Sequence, residues 1–473
     1  MGFVNLPINQ PLYQNVDESS LSIASPERHD VFMDESGSMV RRPGLDEFTT
    51  AGNGPIHGFF YWNTTNLVYM ASGSDLYSMN ENGGTVLVGT DLFHQFNRVI
   101  WDEAINPTRK IFGTNGSIPV EYDGTTAQKL TDPNAPHKAT HLSIYDTYLI
   151  ANQEGTQKIE YSNVGQPTVF SAEFATAEAQ SDNLVFVGVG WDEIVAIGKK
   201  TQEFFYDDGV EPFISKPGAI VEEGCIAPYS IQLIDNAWFF LNHERRVMRL
   251  NGRQPEVLSF PVDKVLSGLT TVTDAIGDEL TVGGRTFYVL TFPTDEKTIV
   301  FDYVKKEWCG EWGSWDTFSA TYKRWRGNCV LYVPEWNTHL VGDYQNNKIY
   351  KASLTKYQDG SDTIRSAWLT GNITHGNSLQ KRSIRLRLRI KRGEGDINTT
   401  EAPVLMIRWR DNGNKAWKNT ININIGKAGD NEFYREIGPL GRYRSRQYEV
   451  SITDNVPLTL VSIEENVLGG ENA

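Results

Sequence analysis

The residues best spaced for chemistry lie late in the chain. Ser383-Ile384-Arg385-Leu386-Arg387-Leu388-Arg389-Ile390-Lys391 sets an apolar side chain at every second position. Successive side chains of a β-strand point to opposite faces, so Arg385, Arg387, Arg389 and Lys391 share one face. A row of guanidinium groups suits two tasks: forked binding of phosphate, or ion pairing with carboxylates. The chain carries 44 Lys and Arg against 59 Asp and Glu, a formal charge of −15. That balance argues against a dedicated nucleic-acid binder and favours carboxylate partners for the stripe.

A second set is acidic. Asn63, Asp102, Asp146, Asp192, Asp235 and Asp278 recur at spacings of 39, 44, 46, 43 and 43, with Gly327-Asn328 as a seventh copy. Acid–base catalysis needs such a group once or twice, whereas an Asx turn needs it at every hairpin; these positions are expected to cap turns. The sequence holds no nucleophile elbow, phosphate loop or HExxH. Gly188-Val189-Gly190 is a lone fragment, and His137 and His141 stand in HKATH before a strand rather than on a helix face. SMNENGGT, from Ser78 to Thr85, approaches a sialidase box but lacks its aspartate and tryptophan. Trp308, Trp312, Trp315 and Trp325 are expected in the core. Cys225, Cys309 and Cys329 are odd in number and form no CxxC, which suits a reducing compartment and neither a disulfide framework nor a zinc site. No catalytic residue, metal or cofactor is expected. The alternative is a glycan-binding or glycan-hydrolysing propeller, which for hydrolysis needs paired carboxylates facing its axis.

The elements that position these residues follow from the spacing. A large apolar or aromatic residue in the third strand of each repeat (Tyr77, Tyr122, Tyr161, Tyr206, Leu250, Phe301, Tyr350) keeps step with the Asp/Asn marker. Repeats of about 40–50 residues made of four short strands are the pattern of β-propeller blades, which stack because one sheet cannot bury both faces alone. The expected fold is all-β: a propeller of about seven blades over 46–360, then an antiparallel β-sandwich over 361–473. Residues 1–45, polar and Pro-punctuated, are expected to form an extended arm that closes the last blade or reaches a neighbouring subunit. Residues 376–450 hold 16 Lys/Arg and 8 Asp/Glu, a charge of +8 that leaves −23 for the rest. No secretory signal opens the sequence, and its apolar runs fall far below the roughly 18 residues of a membrane span.

Three stretches carry a family resemblance. GSMVRRPGL spans Gly37 to Leu45, AWLTG spans Ala367 to Gly371 and leads to the Leu386–Ile390 strand, and GRYRSR spans Gly441 to Arg446 before Glu449–Thr453 and Pro457–Leu460. With a propeller and a basic sandwich, they make the chain resemble the tail nozzle, or packaged-DNA stabilisation, proteins of short-tailed bacteriophages. The resemblance implies a structural, non-enzymatic virion component, synthesised in the host cytoplasm and not inserted into a membrane. It implies a homo-oligomer, expected as a hexameric ring beneath the portal and its adaptor. Such a ring extends the DNA channel, retains the packaged genome, and docks tail fibres or spikes and a plug or needle protein; genomic DNA passes without sequence-specific binding. Under this reading Arg385, Arg387, Arg389, Lys391, Arg442, Arg444 and Arg446 are candidates for contact with the adaptor or a neighbouring subunit. Acidic surface would then line the channel, since a basic lining would hold phosphates and slow their exit.

Overall fold

Six four-stranded antiparallel meanders follow one another along the chain, over residues 56–89, 100–129, 142–176, 184–215, 232–257 and 276–311. They belong to a computed structural model that describes residues 3–6, 12, 27–178, 181–209, 213–391, 402–426 and 434–469. A seventh blade is composite. Gly327–Val333, Thr338–Asp343 and Lys348–Ser353 supply three strands, and Gly44–Thr50 from the N-terminal side supplies the fourth, with Ser353 opposite Gly44 and Tyr350 opposite Glu47. The innermost strand of this blade packs on that of the first and closes the ring: Asn328 Nδ2 donates to the Ile56 carbonyl at 2.8 Å. Closing the circle with strands distant in sequence removes two exposed sheet faces at once.

All seven third-strand landmarks lie in the third strand of their blades, from Tyr77 in Asp75–Met79 to Tyr350 in Lys348–Ser353. The acidic markers divide. Asp146, Asp192 and Asp235 take left-handed φ values of 52°, 57° and 47° at hairpin turns, as expected of Asx residues. Asp102 and Asp278 instead sit inside the innermost strands Ile100–Ala104 and Ile276–Val282. The Asp102 carboxylate accepts Ser143 Oγ at 2.8 Å and the Ile144 N–H at 2.7 Å, tying blade two to blade three. Glycine on an inner strand makes room for the next blade's tryptophan: a Cβ at Gly58 would fall 2.9 Å from Trp101 Nε1. Trp308, Trp312 and Trp325 are buried in blade cores, as expected, and Trp315 is half-buried.

The later strands form two stacked sheets. One contains Val31–Met33, Met39–Arg41, Thr459–Gly469, Lys381–Lys391 and Tyr434–Ile437 in that order. The other contains Glu27–His29, Ser366–Leu369, Arg446–Ile452, Val404–Asp411 and Ile421–Asn424. Between them lies a continuous apolar core that includes Leu386, Leu388, Ile390, Ile407, Val450 and Ile463, each worth roughly 1.5–3 kcal/mol when fully buried. Within the segment expected as an arm, the described strands are extended but integrated: they serve both sheets of the sandwich as well as the last blade.

Glu27–His29 has a special place. It pairs antiparallel with Ser366–Leu369 and parallel, through His29 and Glu311, with the outer strand of blade six. The propeller blade and the sandwich sheet therefore form one nine-stranded sheet. Beside this seam Arg42 is wholly buried, donating to Asp30 Oδ1 at 2.6 Å, to both Asp359 oxygens at 2.9 and 2.6 Å, and to the Gly313 carbonyl at 2.9 Å. Arg41 donates to the Ile364, Asp454 and Val456 carbonyls and to Ser366 Oγ. Of the two arginines of GSMVRRPGL, Arg42 thus ties the propeller to the sandwich, and Arg41 beside it braces the sandwich at the same seam.

Candidate functional site

The arginine strand Lys381–Lys391 lies in the middle of its sheet, between Thr459–Gly469 and Tyr434–Ile437. Leu386, Leu388 and Ile390 face the core, which turns Arg385, Arg387 and Arg389 to the outer face. The register puts Glu464 and Glu436 on either side of Arg387. Arg385 reaches Glu436 at 3.0 Å, Arg387 reaches Glu436 at 2.6 Å and Glu464 at 3.6 Å, and Arg389 reaches Glu464 at 2.9 Å. The Arg387 guanidinium, with help from Arg385, holds Glu436 below the usual carboxylate range. Phe3 and Tyr434 cover Arg387, their ring centroids 3.7 and 4.8 Å from its Cζ. Arg385 and Arg389 keep 62% and 54% of their side chains exposed, so the face is a charged surface with aromatic patches rather than a closed network.

The other candidates scatter. Lys391 is exposed at the end of the same strand, opposite Thr459. Arg442 is exposed and stands opposite Arg382, while Arg444, also exposed, donates to the Ser378 carbonyl at 3.1 Å. Arg446 departs from the expected surface position: it is fully buried, forked onto Asp411 at 2.6 and 3.1 Å, with its Cζ 4.1 Å from the Tyr443 ring centre. Its strand is covered on both faces, so its guanidinium is committed inside the sandwich. Sequence reasoning missed Glu436, Glu464 and Phe3. The paired glutamates Glu464-Glu465 carried a signal: adjacent strand positions must face opposite ways. Glu464 meets the arginines, and Glu465 is buried, accepting the O–H groups of Tyr443 and Tyr448 at 2.6 Å each.

The propeller axis is the other place where chemistry could reside. Inner strands line an open-mouthed cavity of about 320 Å³ whose walls include Phe60, Arg98, Asp102, His141, Phe186 and Tyr229. Arg98 of blade two forks onto Asp278 of blade six at 2.6 and 3.0 Å, and Asp278 also accepts the Val330 N–H of blade seven at 3.2 Å. Burial, reinforced by Arg98, pushes His141 down to about 3, so this imidazole stays neutral at physiological pH. Among the described residues Asp102 is the single carboxylate lining the cavity, and it accepts from Ser143 and Ile144. Among the described residues, no three His, Cys, Asp or Glu side chains gather as a metal site. The cavity is also far too small to admit a nucleic-acid duplex, whose major groove alone is about 12 Å wide.

A propeller fused through one sheet to a sandwich with a charged outer face defines a class by architecture: an all-β propeller protein with an appended β-sandwich. The family model described as "Bacteriophage P22 Gp10, beta-propeller" matches residues 25–357, and the chain belongs to that family; it is a bacteriophage tail protein. It is 21% identical over 305 residues to the tail hub protein gp10 of Salmonella phage P22, a match that covers 59% of this chain and 62% of that protein. The chain thus spans less than two thirds of that relative's length. Among solved structures, the extracellular domain of a one-component system protein from B. thetaiotaomicron is 9% identical at a TM-score of 0.44, covering 91% of this chain and 62% of its own. The WD40 domain of Neurospora crassa Pan2 is 8% identical at a TM-score of 0.42, covering 70% of this chain and all of its own. Neither likeness is close enough to bear on function.

Proposed function

We propose that the protein forms a ring, the nozzle, below the portal and adaptor of a short phage tail. In that position it extends the DNA channel, retains the packaged genome, and docks fibres or spikes and a plug or needle protein. The observation that carries this reading is membership of the phage P22 Gp10 β-propeller family, matched across residues 25–357. The narrow axis supports a particular path for DNA: through the hole between subunits of a homohexamer, never through a propeller. The −23 carried outside residues 376–450 suits the wall of that hole, because like charge keeps the phosphates from sticking. The outer face of the sandwich, with Arg385, Arg387, Arg389, Lys391, Arg442 and Arg444, is the surface offered to the adaptor or a neighbouring subunit.

Electron microscopy of the full chain, alone and on virus particles, tests the reading. A sixfold ring with an open centre at the particle's tail supports it. A protein absent from virions and active on polysaccharide would overturn it and favour the glycan-cleaving alternative.

A further inference from the structure

We propose that copies of this chain meet head to tail, the hairpin between blades six and seven of one copy seating on the outer edge of blade three in the next. This rests on the ring reading above and specifies which flanks build the ring.

The hairpin, Gly313–Asp316 and Thr321–Arg324, is a two-stranded sheet of its own. Its base is anchored: the Tyr322 ring stacks on His29 with centroids 4.4 Å apart, and its O–H donates to the Arg365 carbonyl at 2.9 Å. Its tip is ordered as well. Asp316 Oδ1 accepts the N–H groups of Phe318 and Ser319 at 2.9 and 3.3 Å, Lys323 sits 3.1 Å from the same carboxylate, and Ala320 holds a left-handed φ of 54°. At the apex Phe318 is 100% exposed. A large aromatic ring, fully exposed on a turn whose backbone is already ordered, has the character of an interface anchor: covering it removes apolar surface from water without first having to order the chain that carries it.

A receiving surface exists on the same chain. Blade order puts the six–seven boundary three and a half blades from blade three in either direction, on the opposite side of the disc. The outer strand of blade three, Gln166–Thr176, is a sheet edge of 11 residues, the longest outer strand of the ring among the described residues, and it is capped at Phe170, whose N–H donates to Asp132 Oδ2 at 3.3 Å and whose carbonyl accepts Asn134 Nδ2 at 3.2 Å. It exposes Val169 at 39% and Phe174 at 45%, and Val164, on the turn leading into it, is 65% exposed. Exposed apolar edge strands are surfaces that proteins normally blunt or cover. Lys158 lies over Phe174 at 3.8 Å, and Val169 stays open beside the cap at Phe170.

Charge selects the orientation. Residues 141–182, which carry blade three, hold six Asp and Glu against one Lys. The sandwich attached to blade six holds the +8 segment. Blade three is acidic and the sandwich beside the hairpin is mildly positive, with 17 Lys and Arg against 13 Asp and Glu over 361–473, so head-to-tail contact brings opposite charges together, whereas a two-fold contact of blade-three edges would oppose like with like. Contacts of this heterologous kind generate a ring when the rotation between successive copies closes, and an open filament when it does not.

The test uses full-length chains assembled on virus particles that lack the protein. One population carries Phe318→Cys and another carries Val169→Cys or Phe174→Cys; the three native cysteines are buried. A disulfide-linked dimer that forms only when the two populations are mixed is the expected result. Phe318→Ser should raise the concentration needed for half-assembly by about tenfold or more while leaving thermal unfolding unchanged. Rings of normal yield with neither cross-link, or with 318–318 cross-links, would overturn the flank assignment and leave the ring standing. Failure of the unmodified protein to form a ring on particles would instead overturn the ring itself, and this assignment with it.

Discussion

Arg41 and Arg42 lie 1% and 0% exposed at the seam between propeller and sandwich, whereas Arg385, Arg387 and Arg389 ride on the outer face of a sheet. At the seam Arg42 meets two buried carboxylates and two carbonyls. On the face, the three guanidiniums share two glutamates, Glu436 and Glu464, and two of the three remain more than half exposed. The difference lies in the cost of exchange. A buried charge that loses its partner has no water to replace it, so the seam arginines dictate geometry. An exposed pair is worth little and is screened, so Glu436 and Glu464 can give way to a partner's carboxylates almost without penalty. One region fixes the molecule; the other leaves a surface available.

The sharpest way to break this contrast is Arg42→Met. It strands Asp30 and Asp359 in the interior, and removing one partner of a buried pair costs about 3–5 kcal/mol. Chemical denaturation should show that loss, with the propeller and sandwich transitions separating as the seam weakens. A variant as stable as the parent would mean that the seam arginines act as surface residues do.

Acid and base should then pull on the interior in opposite directions. Burial pushes Asp30 up to about 6 and outweighs Arg42, whose attraction is divided with Asp359. A carboxyl group raised in the folded state contributes stability below its unfolded value near 4, and that contribution is lost as pH rises through 6, about 2–3 kcal/mol in all. His141, pushed down to about 3, behaves oppositely: stability is full above its unfolded value near 6.5 and falls on acidification, by about 2 kcal/mol at pH 5. Measured against the parent from pH 4 to 7.5, Asp30→Asn should remove the loss on the alkaline side, and His141→Phe should remove the loss on the acid side. Identical pH profiles for all three proteins would show that neither group titrates with folding.

What could be read from the sequence follows the same physical division. The third-strand residues from Tyr77 to Tyr350 were legible because burial and a period of two are local properties of a strand. Asp102 and Asp278 were not, since aspartate serves equally to cap a turn or to reach a neighbouring blade, and only the ring decides which. Arg446 was misplaced because alternation identifies an outer face only where one exists, and every residue of Arg446–Ile452 is buried. Glu27–His29 left no trace, because three residues are too few to show any period, although this strand joins the two halves of the fold. The arginine stripe was legible as a face, but its glutamate partners come from strands 49 or more residues away.

The smallest stability effect should come from that stripe, and it decides whether the contrast holds. Arg385→Ser, Arg387→Ser and Arg389→Ser combined remove four ion-pair contacts with Glu436 and Glu464. Exposed pairs contribute about 0–1 kcal/mol each, and the two glutamates left behind are close enough to water to be solvated. At about 0.5 kcal/mol per contact, the triple variant should unfold within about 2 kcal/mol of the parent, less than the single change at Arg42. If the outer face is an assembly surface, the same protein should fail to join particles although it is folded, with the defect growing as salt screens what attraction remains. Normal assembly together with normal stability would leave the stripe as a solvated face and shift the contact to Lys391, Arg442 and Arg444. A large loss of stability would mean that the stripe, like the seam, is part of the frame.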